Sequence, residues 1–360
     1  MKVVQLIDSL HAGGAEKLAV SYANALSKKY GTSFLCTTRE EGLLKDQLAE
    51  TVGYLFLEKK KTIDFKAIKR FVTFLKTHKI TIVHAHASSY FFAFLVKIYY
   101  KNIKIVWHDH YGNSEALQQR KLVPIWISSF SMNAIISVNQ LLKNWAIQKL
   151  NVKNVVYMPN FPVKNIHEIP QTQLFGTAGK RIVCLANLRP QKDHFNLIAA
   201  FENITKQFPE WTLHLVGKNF EDAYATEVHD YIHEKNLEKV IFSYGSKGDI
   251  SHILSQCEIG VLSSKSEGLP IALLEYGLHE LSVVVTNVGE CAKVVSDESL
   301  GCIVPAEDAN ALAEKLQWLL VQNDKRKSIA ANFKKHIIAN YSETAIINKV
   351  HTLYAEISTQ

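Results

Sequence analysis

Two glutamates, Glu267 and Glu275, flank the seven-residue run Gly268-Leu-Pro-Ile-Ala-Leu-Leu274. Glu275 falls in an apolar, helix-patterned stretch, where a carboxylate is costly unless it is paired. A ribose diol would offer it two O–H donors. Pro270 suits a first helical turn, and N–H groups exposed at such a helix start can hold a phosphate or a sugar hydroxyl. Arg189 and Lys192 lie in the loop Ala186-Asn-Leu-Arg-Pro-Gln-Lys-Asp193, between a strand-like and a helix-like segment. Two cations so placed can reach a ligand's diphosphate.

Other groups gather in the first half. Gly13 and Gly14 follow the first apolar run and open a helical stretch, where backbone N–H groups can approach an anion closely. Their spacing is not the GxGxxG of a dinucleotide fold. His84 and His86 lie two apart at a strand end and so share one face. Two such histidines can ligate a metal. No Asp, Glu or Cys clusters with them locally, so a hydrogen-bonding role at a ligand edge or a structural role is expected instead. His108, Asp109 and His110 close the next strand-like run, either at the ligand end of a sheet or in an ordinary polar loop.

The elements that must position these groups alternate. Strands are expected at Val3–Ile7, Ser33–Thr37, Tyr54–Leu57, Thr81–His84, Ile103–Trp107, Ala134–Val138 and Val155–Tyr157. A second series runs Arg181–Ala186, Thr212–Val216, Val240–Ser243, Ile259–Leu262, Val283–Thr286 and Cys302–Val304. Helical patterns fall between, including Glu16–Lys29 and Phe65–His78. Such alternation implies βαβ units and parallel sheets. The expected division is an N-terminal domain over 1–165, a polar linker over 166–180, a C-terminal domain over 181–340, and a last helix over 341–360 packing back on the N-terminal domain.

In this order the motifs resemble the retaining glycosyltransferase family 4, also called glycosyltransferase group 1. The Glu267-x7-Glu275 pair on a strand–loop–helix carries the resemblance. The Gly13-Gly14-Ala15-Glu16 loop, the His84-x-His86 strand end, the Arg189/Lys192 loop and the closing Gly301-Cys-Ile-Val-Pro-Ala-Glu-Asp308 fall in sequence around it. The resemblance implies an α/β GT-B fold, two Rossmann-like domains with a donor cleft between them. It implies a hexosyltransferase that takes a nucleotide sugar, UDP-sugar favoured over GDP-sugar, and needs neither cofactor nor metal. By position, Gly13 and Gly14 cap the donor phosphates, and His86 contacts the transferred sugar. Arg189 and Lys192 neutralise the leaving diphosphate. Glu267 and the backbone of Gly268, Leu269 and Pro270 hold sugar hydroxyls, and Glu275 binds ribose. Two positions depart from the pattern: Asn187 replaces a frequent Arg, and Glu280-Leu281-Ser282 replaces a Gly-x-Pro turn. A sugar-nucleotide epimerase using the His108–His110 loop, or a catalytically silent binding subunit, would be the alternatives.

Composition narrows the partners. The 360 residues are too many for one ordinary core and suit two α/β domains. The longest apolar run, Tyr90–Tyr100, falls short of a membrane span. The five cysteines show no CxxC spacing and read as reduced core residues of a cytoplasmic protein. Residues 1–165 hold 23 Lys and Arg against 10 Asp and Glu, net +13, whereas the remainder is net −6. A basic half attracts anionic partners. Nucleic acid is excluded for want of a zinc-finger spacing, an RNP pattern or a groove-reading basic helix. The balance suggests a glycan or lipid-linked acceptor in cell-surface polysaccharide synthesis, with peripheral attachment to an anionic membrane at the inner face. Lys59, Lys60 and Lys61, with the cations of the following helix, would form the patch, while Phe65, Ile68, Val72 and Leu75 pack inward.

Overall fold

The computed structural model describes residues 1–11, 13–111, 117–162 and 169–359. Two compact units divide the chain: Met1–Val163 with Glu343–Gln360, and Lys164–Ser342.

Seven strands make the first unit's sheet: β1 (Val3–Ile7), β2 (Ser33–Thr37), β3 (Val52–Phe56), β4 (Ile82–His86), β5 (Lys104–Asp109), β6 (Ala134–Ser137) and β7 (Val155–Tyr157). They run parallel in the order β3-β2-β1-β4-β5-β6-β7. Every residue of β1, β2 and β4 is buried, as a parallel sheet covered on both faces requires. Between the strands run α1 (Gly14–Tyr30), α2 (Phe65–Thr77), α3 (Tyr90–Tyr99), α4 (Leu122–Ser129) and α5 (Gln140–Lys149). Ile68, Phe92, Ile125 and Ala146, one from each of α2 to α5, share one core; Leu18, Tyr22 and Leu26 of α1 fill another. Asp64 caps α2 by accepting from the Ala67 N–H at 3.1 Å, and Asn139 caps α5 through Leu142. Several details differ from the sequence expectation: β4 and β5 extend to His86 and Asp109, two residues further than expected, and three other differences concern packing. β3 begins at Val52, which pairs with Ser33, and Gly53 lies against the Phe34 ring where a side chain would clash. Phe65 is exposed rather than inward, leaving Ala67, Ile68, Phe71 and Leu75 as the buried stripe of α2. Lys59 is buried beside the Phe92 ring, 5.2 Å from its centroid, rather than projecting outward.

The second unit repeats the plan. Strands β8 (Arg181–Leu185), β9 (Thr212–Val216), β10 (Ile241–Ser243), β11 (Ile259–Leu262), β12 (Ser282–Thr286) and β13 (Cys302–Val304) run parallel in the order β10-β9-β8-β11-β12-β13. Its helices are α6 (His194–Thr205), α7 (Ala223–Glu234), α8 (Ile250–Leu254), α9 (Ile271–Leu278), α10 (Cys291–Val294), α11 (Ala309–Val321) and α12 (Asn323–Tyr341). Residues 169–180 are bound to this unit. The N–H groups of Gln171 and Thr172 donate to Asp249 at 2.8 and 2.6 Å, and Arg181 donates to the carbonyls of Leu174, Phe175 and Gly176. The last helix, α13 (Glu343–Thr359), joins the first unit, where Ile346, Val350 and Tyr354 pack with Val3, Leu18 and Tyr22. Each sheet reverses its strand order at one point, between β1 and β4 and between β8 and β11. Open α/β sheets bind ligands at the carboxyl ends of strands at such a point.

Candidate functional site

In the second unit, β8 and β11 are hydrogen-bonded neighbours, so the loops that leave their carboxyl ends meet. The β8 loop makes a short 3-10 turn at Pro190–Lys192, and Asp193 takes a left-handed conformation (φ 50°) to start α6. The β11 loop runs from Ser263 to Pro270. The two are laced together: Ser263 Oγ donates to the Lys192 carbonyl at 2.9 Å, and the Lys265 N–H donates to the Gln191 carbonyl at 2.8 Å. This lacing brings Lys192 Nζ to 2.6 Å from Glu267 Oε1. Ser264 Oγ donates to the same oxygen, also at 2.6 Å. The Glu267 side chain is 7% exposed and that of Lys192 23%, so one oxygen of a nearly buried carboxylate is doubly bonded while the ammonium keeps an open side. Below the loop, Gly289 (φ 55°) passes so close to the Glu267 carbonyl that no side chain fits, and the Glu290 N–H donates to the Gly268 carbonyl at 3.0 Å.

Helix α9 is set by Tyr276. Its buried hydroxyl accepts from the Leu185 N–H at 2.6 Å and donates to the Val261 carbonyl at 3.3 Å, tying the helix to β8 and β11. Gly260 lies under the ring, where a Cβ would clash. Glu275, one residue before, is half-buried. A cavity of about 250 Å³ is lined by Asn187, Lys192, Gly217, Glu267, Pro270 and Glu275, among others. A cation, two carboxylates and a helix start thus share one concave space at the switch point.

In the first unit, the corresponding strand ends hold four histidines. His86 pairs in register with His108 across β4 and β5, which puts His84, His86, His108 and His110 on one face. His84 Nε2 lies 3.2 Å from His108 Nδ1, and His84 Nδ1 lies 2.5 Å from the Tyr354 hydroxyl. His86 Nε2 lies 2.8 Å from Gln5 Oε1 and its Nδ1 3.1 Å from His110 Nε2. Tyr22 packs edge-on against three of the rings. Burial pushes His84 and His110 down to about 3 and holds His86 and His108 well below the usual imidazole range. His84, His86 and His108 present ring nitrogens within 4.8 Å of one another, close enough to share a metal ion. Beside them Asp109 accepts both arms of Arg120, each at 2.7 Å. The guanidinium is stacked near Tyr111 and Trp145, 4.6 and 4.5 Å from their ring centroids.

Two family models match the chain: "Glycosyltransferase Family 4" over residues 12–161 and "Glycosyl transferases group 1" over residues 165–336. The chain is a GT-B glycosyltransferase. It is 23% identical over 383 residues to the UDP-Gal:alpha-D-GlcNAc-diphosphoundecaprenol alpha-1,3-galactosyltransferase of Escherichia coli, covering 98% of this chain and 96% of that protein. It is 24% identical over 309 residues to the capsular polysaccharide biosynthesis glycosyltransferase CapH of Staphylococcus aureus, covering 82% of this chain and 83% of the relative. Its fold matches Anabaena HepE, crystallised with UDP, at a TM-score of 0.79 with 18% identity over 99% of this chain and all of that one.

Around the cavity of this glycosyltransferase stand Lys192, Glu267, Pro270 and Glu275, with Gly268 and Leu269 in the loop between. Pro270 caps α9 from outside; the first helical residue is Ile271. Arg189 is not among the residues lining this cavity. It is exposed and stands over the Phe220 ring at 4.4 Å. Asn187 accepts from the Lys218 N–H at 2.8 Å and also lines the cavity. Gly13 caps α1 in extended conformation, and open space surrounds the Cβ position of Gly14. His86 is fully buried with both ring nitrogens engaged, so the half-buried His110 is the member of that network nearer to solvent. Sequence reasoning missed Ser264, Tyr276 and Asp8. Asp8 accepts from the hydroxyls of Thr38 and Ser88 at the end of β1; its position after the first strand was the available signal.

No helix among the described residues is long and apolar enough to cross a membrane.

Proposed function

We propose that this glycosyltransferase moves a sugar, with retention, from a UDP-sugar to a lipid-linked glycan acceptor in cell-surface polysaccharide synthesis, at the cytoplasmic face of the membrane. The observation that carries the reading is the convergence of Lys192, Glu267 and Glu275 on one cavity. Glu275 accepts from the ribose hydroxyls. Glu267 and the backbone of Gly268, Leu269 and Pro270 hold the sugar. Lys192, kept in place by Glu267, stabilises the charge that grows on the diphosphate as its bond to the sugar carbon breaks. That charge is greatest in the transition state, so an ammonium fixed in advance lowers the barrier. The acceptor oxygen bonds to the same face of the sugar carbon, and its proton passes to the leaving diphosphate. Arg189 adds a second cation if it leaves Phe220. Gly13 and Gly14 are assigned N–H contacts to the donor phosphates. The buried His86 acts as a positioning group for His110. Neither a metal nor a cofactor is assigned, because the side-chain cations take that role. The donor named for the Escherichia coli relative and the UDP bound by HepE support UDP over GDP.

The test is the anomeric configuration of the product, read by NMR after incubation with UDP-sugars and a synthetic lipid-diphosphate-sugar acceptor. An inverted anomer would remove the retaining assignment, and no UDP release with any UDP-sugar would remove the donor.

A further inference from the structure

The outer face of α4 is apolar where water should face polar residues. On α4, Val123, Trp126 and Ile127 are exposed, and Phe130 follows at 58% exposure. The buried side of the same helix is Ile125, Ser128 and Ser129. A helix with water on its outer side normally shows charged or polar residues there; α4 has none along its outward face. The neighbouring helices add exposed apolar side chains at their ends. Phe65 at the start of α2 is 65% exposed and meets Tyr99, at the end of α3, edge-on at 6.3 Å. Trp126 meets Phe130 edge-on at 4.9 Å. Helix α3 packs against both α2 and α4, so these six side chains belong to one helical layer. Clustered exposed apolar side chains of this kind mark an interaction site.

Charge says what lies against it. Residues 59–108 hold eleven Lys and Arg and a single acidic residue, Asp64, which is occupied in capping α2. Lys66 and Lys69 stand exposed beside Phe65, and Lys121 stands at the head of α4. A second copy of so basic a face would meet its like charge. An anionic bilayer meets both properties together: lipid phosphates face the lysines, while Trp and Tyr rings settle at headgroup level.

We infer that this layer is a membrane-docking surface, with α4 lying in the bilayer interface and Trp126, Ile127 and Phe130 inserted. It deepens the proposed use of a lipid-linked acceptor and rests on that proposal for its purpose. It also differs from attachment by lysines alone, because apolar insertion adds a component that salt does not screen.

Flotation of the full chain with phosphatidylcholine vesicles, with and without phosphatidylglycerol, tests it. Binding is expected to need the anionic lipid at first contact. It should then survive a salt step that releases a purely electrostatic binder. Chain-brominated lipid should quench wild-type fluorescence but not that of Trp126→Phe. The triple variant Val123→Ser/Trp126→Ser/Ile127→Ser should keep the wild-type circular dichroism and lose about tenfold or more in vesicle affinity. Lys66→Glu/Lys69→Glu should weaken capture at low salt. Vesicle affinity of the triple variant equal to wild type overturns the inference. So does the absence of Trp126 quenching in a bound sample. A dimer that the triple variant converts to monomer, with vesicle binding intact, would make the face a contact between copies and overturns it too. UDP binding by calorimetry, without vesicles, reads the proposed reaction separately.

Discussion

Lys192 Nζ and Glu267 Oε1 sit 2.6 Å apart although 75 residues separate them in the chain. The pair fixes the ammonium at the mouth of the cavity before any ligand arrives, so little reorganisation is left for the reaction itself. Lys192→Ala should therefore lower kcat about 100-fold while changing the Kd for UDP by less than about tenfold. Glu267→Gln keeps the shape but frees the ammonium, and kcat should again fall more than UDP affinity. Steady-state kinetics with calorimetry for the Kd separates the two. Equal losses in kcat/KM and UDP affinity would make Lys192 a ground-state anchor. Activity should persist in EDTA; loss that Mn²⁺ restores would assign the charge to a metal.

Glu275 tests the nucleotide end of the same cavity. Its carboxylate is half-buried on α9 and held in place by the Tyr276 anchor. Glu275→Ala should weaken UDP binding by about 1–3 kcal/mol, the cost of losing a charged hydrogen bond to the ribose. The fold should remain intact because the neighbouring Leu273, Leu274 and Tyr276 carry the packing. Calorimetry showing wild-type affinity in a folded variant would remove the ribose role.

The strands of this protein were legible because a parallel sheet covered on both faces writes itself as short β-branched runs. Val3–Ile7, Ile259–Leu262 and Cys302–Val304 lie where the pattern puts them. Glycine misleads where packing decides: the expected strand begins only at Tyr54, yet Gly53 is a strand residue beneath Phe34. The candidate site was legible in parts. Glu267 and Glu275 stand out through their spacing on one strand–loop–helix. Their partner could not, since the Lys192 contact depends on β8 lying beside β11. Nor could the sequence separate Lys192 from Arg189; a single 3-10 turn sends one to Glu267 and the other to Phe220. His86 looked like a strand-end ligand group, and only the β4–β5 register reveals its ring as enclosed by Gln5 and His110. Lys59 counted as a surface cation because nothing local foretells its position beside Phe92.

Arg120 and Asp109 form a buried, two-armed ion pair, with side-chain exposures of 7% and 1%. Burial raises the Asp109 carboxyl above its ordinary value, and Arg120 opposes the rise. Removing the guanidinium leaves a carboxylate in a dry site, so Arg120→Met should cost about 3–5 kcal/mol at neutral pH. Arg120→Met/Asp109→Asn should recover part of this, because no charge is then stranded. The single-variant penalty should also shrink as pH falls and Asp109 takes up a proton. Urea unfolding at pH 7 and pH 5 measures both. A penalty below about 1 kcal/mol at pH 7 would class the pair with exposed bridges.

The four histidines on β4 and at the end of β5 make the stability of this protein depend on pH in a definite direction. Burial lowers all four in the folded state, with His84 and His110 at about 3 against an ordinary 6.5. The unfolded chain protonates them near 6.5 and the folded chain does not, so unfolding takes up protons throughout that window. Their stabilising contribution is complete above about pH 6.5 and is lost as pH falls towards 3. Each histidine adds up to about 1.4 kcal/mol of stability per pH unit across the window. His84→Phe keeps an aromatic ring in the stack and removes one titrating group. It should start less stable at pH 7, having lost its contact with the Tyr354 hydroxyl. Between pH 6 and 4.5, its slope should be shallower than wild type by about one proton. Urea midpoints and m-values collected at half-unit intervals give the slope directly. A slope identical to wild type would mean that His84 is already protonated in the fold or neutral in both states, and the acid sensitivity would then belong to other groups.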